Sequence, residues 1–492
     1  MEMPPGLPIP PQDWAQTPLS VQAVVVMLWQ ENQMLKAQVK ELQQQVAVLQ
    51  TEVEQLRERV NQTSRNSSKP PSSDPPGTKQ YPARKPSGRK RGGQKGHKGK
   101  GRKLKPLNAV DRIVVSKPTV CTGCGVLLLG EDPQPQRHQV SELPRIEPEV
   151  VEYQLHTLSC LACGQRNRGE WPDGMPSGSF GPRLQATIGY LSGRMGVSRR
   201  DIEELLAAMC HVDISLGSIP AQEQRVSQAL AQPVAEAAAY IQKQAAVNLD
   251  ETSWQQMNDK HWLWVGTTPL VTLFLILKTR SKKGVKALLG EAFGGVVGSD
   301  RFSAYNSLPP TQRQLCWSHL IRDFQALVDR GGESALIGQL LLAQVETFFD
   351  LWYRVRDGTL ARAEFQNAMA PIRHEVGCLL RIAASSKQSK TANTCGNILK
   401  VETAMWTFVD QASVEPTNNA AERAVRRGVI WRRRSFGSQS ETGSRFVASI
   451  LTAVTTLRQQ RRDVLDYLTQ ACQAANLGVA APSLLPPVLN DS

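Results

Sequence analysis

The sequence lacks a hydrophobic run long enough to cross a bilayer. The longest mainly apolar stretch, residues 271–277, is far shorter than the roughly 20 residues that a transmembrane helix needs. A basic cluster is also missing from the Pro-rich start, where Glu2 stands, so no signal peptide is predicted. We therefore expect a cytoplasmic protein with no membrane partner.

Cysteines are few, and their placement does not suggest a disulfide framework. The chain has 9 cysteines in 492 residues, and four of them form two Cys-x-x-Cys pairs. Four thiolates suit a tetrahedral zinc ion with a structural role, because no coordination position is left open. We predict a small β-rich zinc module over residues 109–170, with a strand over 149–158. The alternative is two unrelated pairs of reduced cysteines. The predicted ligands are Cys121, Cys124, Cys160 and Cys163.

Acidic residues are absent from residues 84–105, which contain eleven basic ones. The whole chain carries a net charge of +14, so most of its excess charge lies in this arm. Interspersed glycines make the arm flexible, and such arms bind phosphate backbones without reading sequence. The alternative is a solvated linker. The arm residues assigned to DNA are Arg84, Lys85, Arg89, Lys90, Arg91, Lys95 and Lys98.

A leucine zipper is predicted before the arm. Leucine recurs every seven residues, and valine occupies most of the matching a positions, with one Asn at position 32. This chemistry favours a parallel two-stranded coil, and hence a homodimer or higher oligomer. The alternative is one amphipathic helix packed on its own chain. The predicted dimerisation residues are Leu28, Leu35, Leu42, Leu49 and Leu56.

Two strands predicted in the second half of the chain end in carboxylates. Residues 245–250 form an apolar strand ending at Asp250, and residues 294–300 form another ending at Asp300. Two strands and a short helix are predicted between them. This order is the front half of a ribonuclease H-like fold, in which the two carboxylates would meet.

A third carboxylate, Glu422, is predicted on a helix that begins near Pro416. Three carboxylates suit two Mg²⁺ ions, for which Mn²⁺ can substitute, and two such ions support phosphodiester displacement. We expect Asp250 to bridge the ions, with one ion each for Asp300 and Glu422. Individually, a strand-terminal Asp is often a turn residue, and Glu422 could pair with Arg426.

Basic residues follow Glu422 on the same helix, and we assign Arg423, Arg426 and Arg427 to DNA binding, with a solvated helix face as the alternative. Four further residues are expected near the carboxylates, where they could belong to the core, bind a metal or contact DNA. They are Cys316, His319, Asn418 and Asn419.

The predicted class is a multidomain α+β protein: an N-terminal coiled coil, a small four-cysteine zinc module, and a ribonuclease H-like α/β core with a helical insertion. Residues 171–243 fit a helix-turn-helix and a plain helical spacer equally well. The predicted segments are 1–19 disordered, 20–62 coiled coil, 63–108 linker, 109–170 zinc module, 171–243 helical, 244–330 first part of the core, 331–413 insertion, 414–475 core helices and 476–492 tail.

Several motifs in order resemble transposases of the insertion-sequence-66 family. Besides the zipper and the cysteine pairs, the chain has Asn-Ser-Ser-Lys-Pro-Pro-Ser-Ser-Asp at 66–74 and Gly-Gly-Gln-Lys-Gly-His-Lys-Gly at 92–99. It also has Asp-Glu-Thr at 250–252, Ser-Asp at 299–300, Cys-Trp-Ser-His at 316–319 and Asn-Asn-Ala-Ala-Glu-Arg at 418–423. The segment 435–440 only approximates the family's aromatic-Ala-Gly-Ser pattern.

The resemblance implies a DDE-type DNA transposase whose triad falls on Asp250, Asp300 and Glu422. It implies binding to terminal inverted repeats and target DNA, small accessory proteins of the same element, and a place at the bacterial nucleoid. Two alternatives remain from the residues themselves. One is a zipper-dimerised DNA-binding regulator with an inactive nuclease fold, and the other is a nuclease that cuts without joining.

Overall fold

The computed structural model describes residues 2–67, 69, 74, 103–176 and 178–486. The chain divides into two compact units. The helical unit comprises Met1–Gln80 and Trp317–Glu402, and the sheet unit comprises Tyr81–Cys316 and Thr403–Ser492. Among the described residues, no helix combines the length and the apolar character needed to cross a bilayer.

The helical unit begins with a short helix, α1 Pro11–Gln16, and a very long one, α2 Leu19–Asn61. Helix α2 has 43 residues and contains neither glycine nor proline, which allows it to run without a break. Its five heptad leucines are 54–58% exposed, so the stripe that they form has no cover within the described part of this chain. The later helices described in this unit are α8 Trp317–Arg330, α9 Gly332–Arg356, α10 Arg362–Ala384 and α11 Ser389–Leu399.

Helices α8 to α11 enclose an aromatic core. The Trp317 ring lies 4.6 Å from that of Phe348 and 6.5 Å from that of Phe324, in edge-to-face geometry. Gly338 lets α9 approach α8 closely, since a Cβ there would lie 2.9 Å from the Phe324 carbonyl oxygen. The segment after α2 joins this unit through Asn66, whose Nδ2 donates to Asp329 Oδ2 at 2.7 Å.

The first described segment of the sheet unit, residues 103–176, has little regular structure. Two short antiparallel strands pair there, β1 Thr157–Ser159 and β2 Arg166–Arg168. The strand predicted over residues 149–158 is therefore wrong for most of its length. The side chains of this segment are largely exposed, so burial does not favour a longer sheet.

A helical layer follows, made of α3 Pro182–Tyr190, a π-helix Leu191–Met195, α4 Arg199–Cys210, α5 Ser218–Ala229 and α6 Ala231–Ile241. It has a small core of Ile188, Ile202, Leu206, Ile214 and Ile219. Helix α5 packs on α3 and on two C-terminal helices of the same unit. The residues of α5 that face away from this packing, Ala221, Gln224 and Gln228, are exposed, so the helix-turn-helix and the helical spacer both remain open.

A five-stranded mixed sheet forms the centre of this unit. Its elements are β3 Ala246–Gln256, β4 Asp259–Thr267, β5 Thr272–Leu277, α7 Lys282–Leu289, β6 Val296–Ser299 and β7 Arg313–Leu315. The strand order is β5-β4-β3-β6-β7. Strands β3, β4 and β5 are antiparallel neighbours, whereas β6 and β7 add in parallel. The α+β class is confirmed.

The prediction that the first strand ends at Asp250 is wrong, because β3 continues to Gln256. Its parallel pairing with β6 stops at Asn248, but its antiparallel pairing with β4 runs from Asn248 to Gln256. The polar residues after Asp250 suggest a turn, yet the hairpin with β4 satisfies their backbone groups. Asp250 thus lies inside a strand and just beyond the end of a parallel ladder.

The C-terminal helices are α12 Thr407–Asp410, α13 Asn419–Ser435, α14 Glu441–Gln459 and α15 Val464–Leu477. Helix α14 covers the edge strand β5 with hydroxyl groups. Thr452 Oγ1 accepts from the Phe274 backbone N–H at 2.9 Å, and Thr456 Oγ1 accepts from that of Thr272 at 3.0 Å. These bonds satisfy edge donors that would otherwise invite pairing with another chain.

Candidate active site

Asp250 and Asp300 come together through the register of the sheet. The parallel pairs of β3 and β6 are Ala246 with Val296, Val247 with Val297 and Asn248 with Gly298. Continued by two residues, this register sets Asp250 beside Asp300. Gly298 is required because a Cβ there would lie 2.1 Å from the Asn248 side chain. The Asp300 carboxylate is held in turn by the Phe302 backbone N–H at 2.9 Å.

Glu422 reaches the same place because the start of α13 is tied to the end of the parallel ladder. Asn418, the N-cap residue, is buried, and its Nδ2 donates to the Leu249 carbonyl at 3.1 Å. Its backbone N–H contacts Cys316 Sγ at 3.4 Å, and the Cys316 N–H donates to the Ser299 carbonyl at 2.8 Å. The residues preceding both aspartates are therefore linked to the helix that carries Glu422.

The electrostatics of the site agree with this convergence. Burial raises the pKa of Asp250 well above its ordinary range, and the charges of Glu251, Asp300 and Glu422 raise it further. The Glu251 backbone N–H, which donates to Asp250 Oδ1 at 2.9 Å, lowers that pKa only in part. A group of carboxylates that disfavour one another's ionisation is the arrangement that a divalent cation relieves.

Glu251, the neighbour of Asp250, has a different role. Its side chain is 2% exposed and accepts from Arg280 Nη2 at 2.9 Å and from the Tyr305 hydroxyl at 2.6 Å. The guanidinium of Arg280 also stacks on Phe302, 3.9 Å from the ring centroid. Burial raises the pKa of Glu251, whereas the bonds from Tyr305 and Arg280 lower it. The Glu251 carboxylate is therefore occupied by hydrogen bonds from Arg280 and Tyr305. Asp250 is the acid whose pKa responds to both Asp300 and Glu422.

Helix α13 is anchored at its far end too. The Nη1 of Arg432 donates to the Thr252 hydroxyl at 3.1 Å and also contacts the carbonyl and the hydroxyl of Ser253. Gly428 allows the helix to lie directly on β4, since a Cβ there would meet Leu263 at 2.0 Å. The predicted DNA-binding arginines are accessible, whereas Arg432 is structural. Those on the exposed face are Arg423, Arg426 and Arg427.

Comparison with known families bears on this site. The model of the IS66 family of transposases matches residues 177–445, more than half of the chain, and the match includes all three carboxylates. The chain belongs to the IS66 transposase family. The resemblance that the motifs indicate is thereby confirmed. A second model, a family of unknown function (DUF6444), matches residues 10–103.

Two relatives of this IS66-family chain come from Sinorhizobium fredii, and both are named as uncharacterized proteins. One, y4qI, is 26% identical over 240 residues, which cover 43% of this chain and 43% of the relative. The other, y4hP, is 24% identical over 396 residues, which cover 73% of this chain and 71% of the relative. This chain thus spans less than half of the first relative and about seven-tenths of the second.

Each Cys-x-x-Cys pair of the IS66-family chain lies on a knuckle, and the two knuckles share one backbone pattern. The Cys121 N–H donates to the Val126 carbonyl, and the Gly125 N–H donates back to Cys121, both at 2.9 Å. Cys160 makes the equivalent two bonds with Gln165 and Gly164 at 2.8 Å. Both glycines have positive φ, 74° and 75°. The knuckles are thus local structures built by matching sequence.

The knuckles lower the pKa of a thiol in each pair. For Cys121 the main cause is the backbone N–H of Gly123, and for Cys160 it is that of Cys163. Thiolate-stabilising N–H groups fit a zinc site. Within the described residues, however, no three of the four sulfur atoms lie within 4.8 Å of one another. The donor set fits zinc in kind and number, but the structure does not bring the two pairs together.

The remaining predicted residues have these positions. Cys316 is buried at the end of β7, and His319 lies on α8 in the helical unit. Asn419 is the first residue of α13. The arm residues Arg84, Lys85, Arg89, Lys90, Arg91, Lys95 and Lys98 lie outside the described residues.

The sequence motifs did not indicate the supporting network around the aspartates. Tyr305, Arg280 and Arg313 are separated from the motifs in sequence, and Arg313 is a 2% exposed arginine in a strand of three residues. The Asp300 charge opposes the lowering of the Arg313 pKa by burial, so the two groups interact. The sequence around Arg313 offers no signal that would have revealed it, because the next residue of the short edge strand β7, Gln314, is polar as well.

Proposed function

We propose that this protein is a DNA transposase that cleaves and joins DNA ends at Asp250, Asp300 and Glu422. The observation that carries the proposal is the convergence of the three carboxylates, which come from β3, the end of β6 and the first turn of α13. The strand order supports assignment of a ribonuclease H-like core. Family membership supports the reaction class.

Two Mg²⁺ ions, or Mn²⁺ in their place, would be held by the three carboxylates and would supply Lewis acidity for phosphodiester displacement. In this proposal Asp250, whose pKa responds to the charges of both Asp300 and Glu422, would be a ligand together with each of them. Asn418 sets the distance between β3 and α13 through the Leu249 carbonyl. In this proposal Glu251 helps to position β3 through its bonds with Arg280 and Tyr305. Each of these side chains orients a ligand before DNA arrives.

DNA would be held by cations that surround the site. Arg423, Arg426 and Arg427 share the exposed face of α13 and bind phosphates in this proposal. The arm at residues 84–105 adds sequence-independent affinity. The substrates would be the terminal inverted repeats of the element and its target DNA, and small accessory proteins of the same element would act with it.

We further propose that α2 pairs with α2 of a second copy and that the cysteine pairs bind zinc. A stripe of half-exposed leucines from Leu28 to Leu56 is far longer than a monomeric helix in water would keep uncovered. Substituting Leu42 by Lys would place a charge in the seam. A lower molar mass for this variant in light scattering supports the pair, and an unchanged mass rejects it.

The test of the reaction is strand cleavage and joining by the full chain with DNA carrying the repeats that flank its gene, in Mg²⁺ or EDTA. We expect Asp250→Asn, Asp300→Asn and Glu422→Gln each to lose at least about a thousandfold in both steps. Glu441→Gln is the matched control, because Glu441 is an exposed acid at the start of α14.

Each pattern of results selects one function. Loss of both steps in the three variants, with an active control, supports the transposase. Cleavage without joining by the wild type favours a nuclease. DNA binding without any chemistry, even with the neighbouring gene products added, favours the regulator with an inactive nuclease fold.

A further inference from the structure

A cavity of about 800 Å³ lies in the sheet unit, and none of the three carboxylates lines it. It is formed by the end of α13, the following segment 435–440 and the beginnings of α4, α5 and α14. Trp431, on its wall, follows Glu422 by nine residues, an axial rise of about 13–14 Å along α13. Ligand sites usually have volumes of about 300–1,000 Å³. The cavity is therefore large enough for a ligand and distinct from the carboxylate site.

One wall of the cavity is aromatic. Trp431 and Phe446 both line it, and their rings pack edge to face with centroids 6.4 Å apart. Phe446 is 2% exposed, whereas Trp431 is only half-buried, so part of the Trp431 ring is accessible from the cavity. An indole ring that is fixed by packing and accessible on part of its surface suits stacking with a nucleobase.

The cavity is also positively charged. Three exposed arginines line it, namely Arg199, Arg200 and Arg434. Of the described residues on its wall, Glu223 is the one acid, and it is buried. Its carboxylate accepts from Arg199 Nη2 at 2.7 Å and from the Ser192 hydroxyl. The charges of Arg200 and Arg434 thus remain in excess, and guanidinium groups bind phosphate oxygens through charge-assisted hydrogen bonds.

Three helices begin at the cavity and add to its positive potential. The N-cap residues of α4, α5 and α14 all line it, and they are Ser198, Gly217 and Ser440. The N-terminal end of a helix carries partial positive charge and favours a nearby anion. The end of α13 has the opposite polarity, which the charge of Arg434 offsets. The helix ends therefore reinforce the preference of the arginines for phosphate.

The segment 435–440 forms a fixed wall, because it is bonded to the end of β3. The Ser438 N–H donates to the Gln255 carbonyl at 3.0 Å, and Trp254 Nε1 donates to the Ser438 hydroxyl at 3.0 Å. Gly437 is required for this approach, since a Cβ there would lie 2.0 Å from the Gln255 carbonyl oxygen. A cavity with a preformed wall binds its ligand at a smaller entropic cost than one that must be ordered.

Trp431 and Arg434 are three residues apart on α13 and are therefore neighbours on one face, with Cβ atoms about 5–6 Å apart. A nucleotide carries a flat base and a phosphate in one small unit, which matches an aromatic ring beside a guanidinium. We propose that the cavity binds one unpaired nucleotide of a DNA strand, whose base stacks on Trp431 and whose phosphate contacts Arg434 and Arg200. The nucleotide must be unpaired, because neighbouring bases cover the faces of a paired base in the duplex. This inference rests on the proposed function in taking DNA as the ligand.

The first experiment compares two short single strands by isothermal titration calorimetry with the full chain in EDTA. One is a pentanucleotide of deoxyadenosine, and the other has the same phosphates but five abasic residues. Contacts to phosphate are available equally in both, so the ratio of their Kd values reports contacts to the bases. We expect wild type to prefer the first by about tenfold. Trp431→Leu keeps apolar packing on Phe446 and should lose this preference, whereas Trp431→Phe should keep part of it.

Trp171→Leu is the matched control, because Trp171 is an exposed tryptophan of the same unit that does not line the cavity. Its preference for the deoxyadenosine strand should equal that of wild type. A tenfold preference that persists in Trp431→Leu would overturn the site. An equal loss in Trp171→Leu would also overturn it, since stacking would then not be confined to the cavity.

The second experiment measures the salt dependence of binding to the deoxyadenosine pentanucleotide. Arg434→Gln should reduce the log-log slope by about 0.7, the value for one phosphate contact on a single strand. Trp431→Leu should keep the wild-type slope, because an indole contacts no phosphate in this site. Arg183→Gln is the control, since Arg183 is an exposed arginine on α3 outside the cavity. If Trp431→Leu does not fold, Arg434→Gln decides, and an unchanged slope in that exposed-site variant rejects the proposal.

A free nucleotide offers the same chemistry as a nucleotide within a strand, and deoxyadenosine monophosphate separates the two sources. The monophosphate should bind at least tenfold more weakly than the pentanucleotide, because it lacks the neighbouring phosphates of a strand. Equal affinity would assign the cavity to a free nucleotide and overturn the proposal of a DNA strand.

These readouts do not depend on strand cleavage or joining. A chain that loses its base preference in Trp431→Leu but shows no Mg²⁺-dependent chemistry keeps the nucleotide site and loses the transposase proposal. A chain that joins DNA but binds the two pentanucleotides equally keeps the transposase and loses the nucleotide site.

Discussion

The two groups of candidate metal ligands in the sheet unit are built in opposite ways. Each cysteine knuckle is complete within six residues, and its backbone bonds and positive-φ glycine follow from local sequence. The three carboxylates come from distant segments, which strand register and contacts such as the bond from Asn418 to the Leu249 carbonyl bring together. The two cysteine knuckles form separately, and the structure does not bring them together. The carboxylate site is assembled, but its assembly depends on tertiary contacts.

The largest expected effect is at the local site. Replacing Cys121 and Cys160 by Ser should abolish bound zinc, because two ligands remain and structural sites need four. Zinc content by mass spectrometry and optical absorption of a cobalt-substituted sample would measure this. The stabilisation of the chain by Mg²⁺ should be unchanged, since the carboxylates lie on other elements. If the wild-type chain binds no zinc, the zinc proposal is rejected and the cysteines are two unrelated reduced pairs.

The next effect is at the tie that assembles the carboxylates. Asn418→Ala removes the bond to Leu249 inside a buried site, and should cost about 1–3 kcal/mol of folding free energy. Joining should fall more than stability alone explains, since Glu422 loses its fixed distance from β3. Ser440→Ala is the control: it removes the N-cap of α14 at about 1 kcal/mol and should leave joining intact. Equal losses of joining in both would refute the positioning role.

Asp250→Asn should stabilise the metal-free protein. A carboxyl whose folded pKa is raised holds its proton in the folded state, so stability falls as pH rises from its ordinary value near 3.8 through the raised one. The variant does not lose stability in this way, so its free energy of unfolding in EDTA at pH 8 should exceed that of wild type by about 1–2 kcal/mol. Thermal unfolding from pH 5 to 8 would show the wild type approaching the variant at low pH. Added Mg²⁺ should stabilise only the wild type, and a destabilised variant would contradict this account.

The smallest effect concerns one knuckle. Gly125 has a φ of 74° and open space around its Cβ position, so Gly125→Ala should cost only the backbone strain, about 1 kcal/mol. Zinc affinity should fall about fivefold, as judged by competition with a chelator. Gly123→Ala is the control, because Gly123 has no positive φ. An equal loss of affinity in the control would show that crowding rather than backbone conformation matters.

Much of the fold could be predicted because its signals are local. The heptad of α2 specifies one long helix through Leu28 to Leu56, and the apolar runs around Asp250 and Asp300 indicate two strands. Ala-rich sequence after Asn418 indicates the helix that carries Glu422. In each case the side chains within a few turns or pleats decide the backbone conformation.

Other features could not be read because they depend on partners far along the chain. The extension of β3 to Gln256 needs β4 opposite it, and the close approach of Gly193 to α14 needs Ile450 on that helix. Glu251 and Asp250 are adjacent acids in sequence, and only Arg280 and Tyr305 distinguish them.

By itself, the sequence determined the long helix α2, the strands that lead to Asp250 and Asp300, the cysteine knuckles, the basic segments and the family, since these follow from periodicity, spacing and motif. Tertiary structure alone decided which carboxylates share a site, which arginines are structural and which are accessible. The physical reason is that burial and charge act through space. The same type of side chain therefore becomes a ligand, a structural hydrogen-bonding group or a surface group, depending on the residues that the fold places beside it.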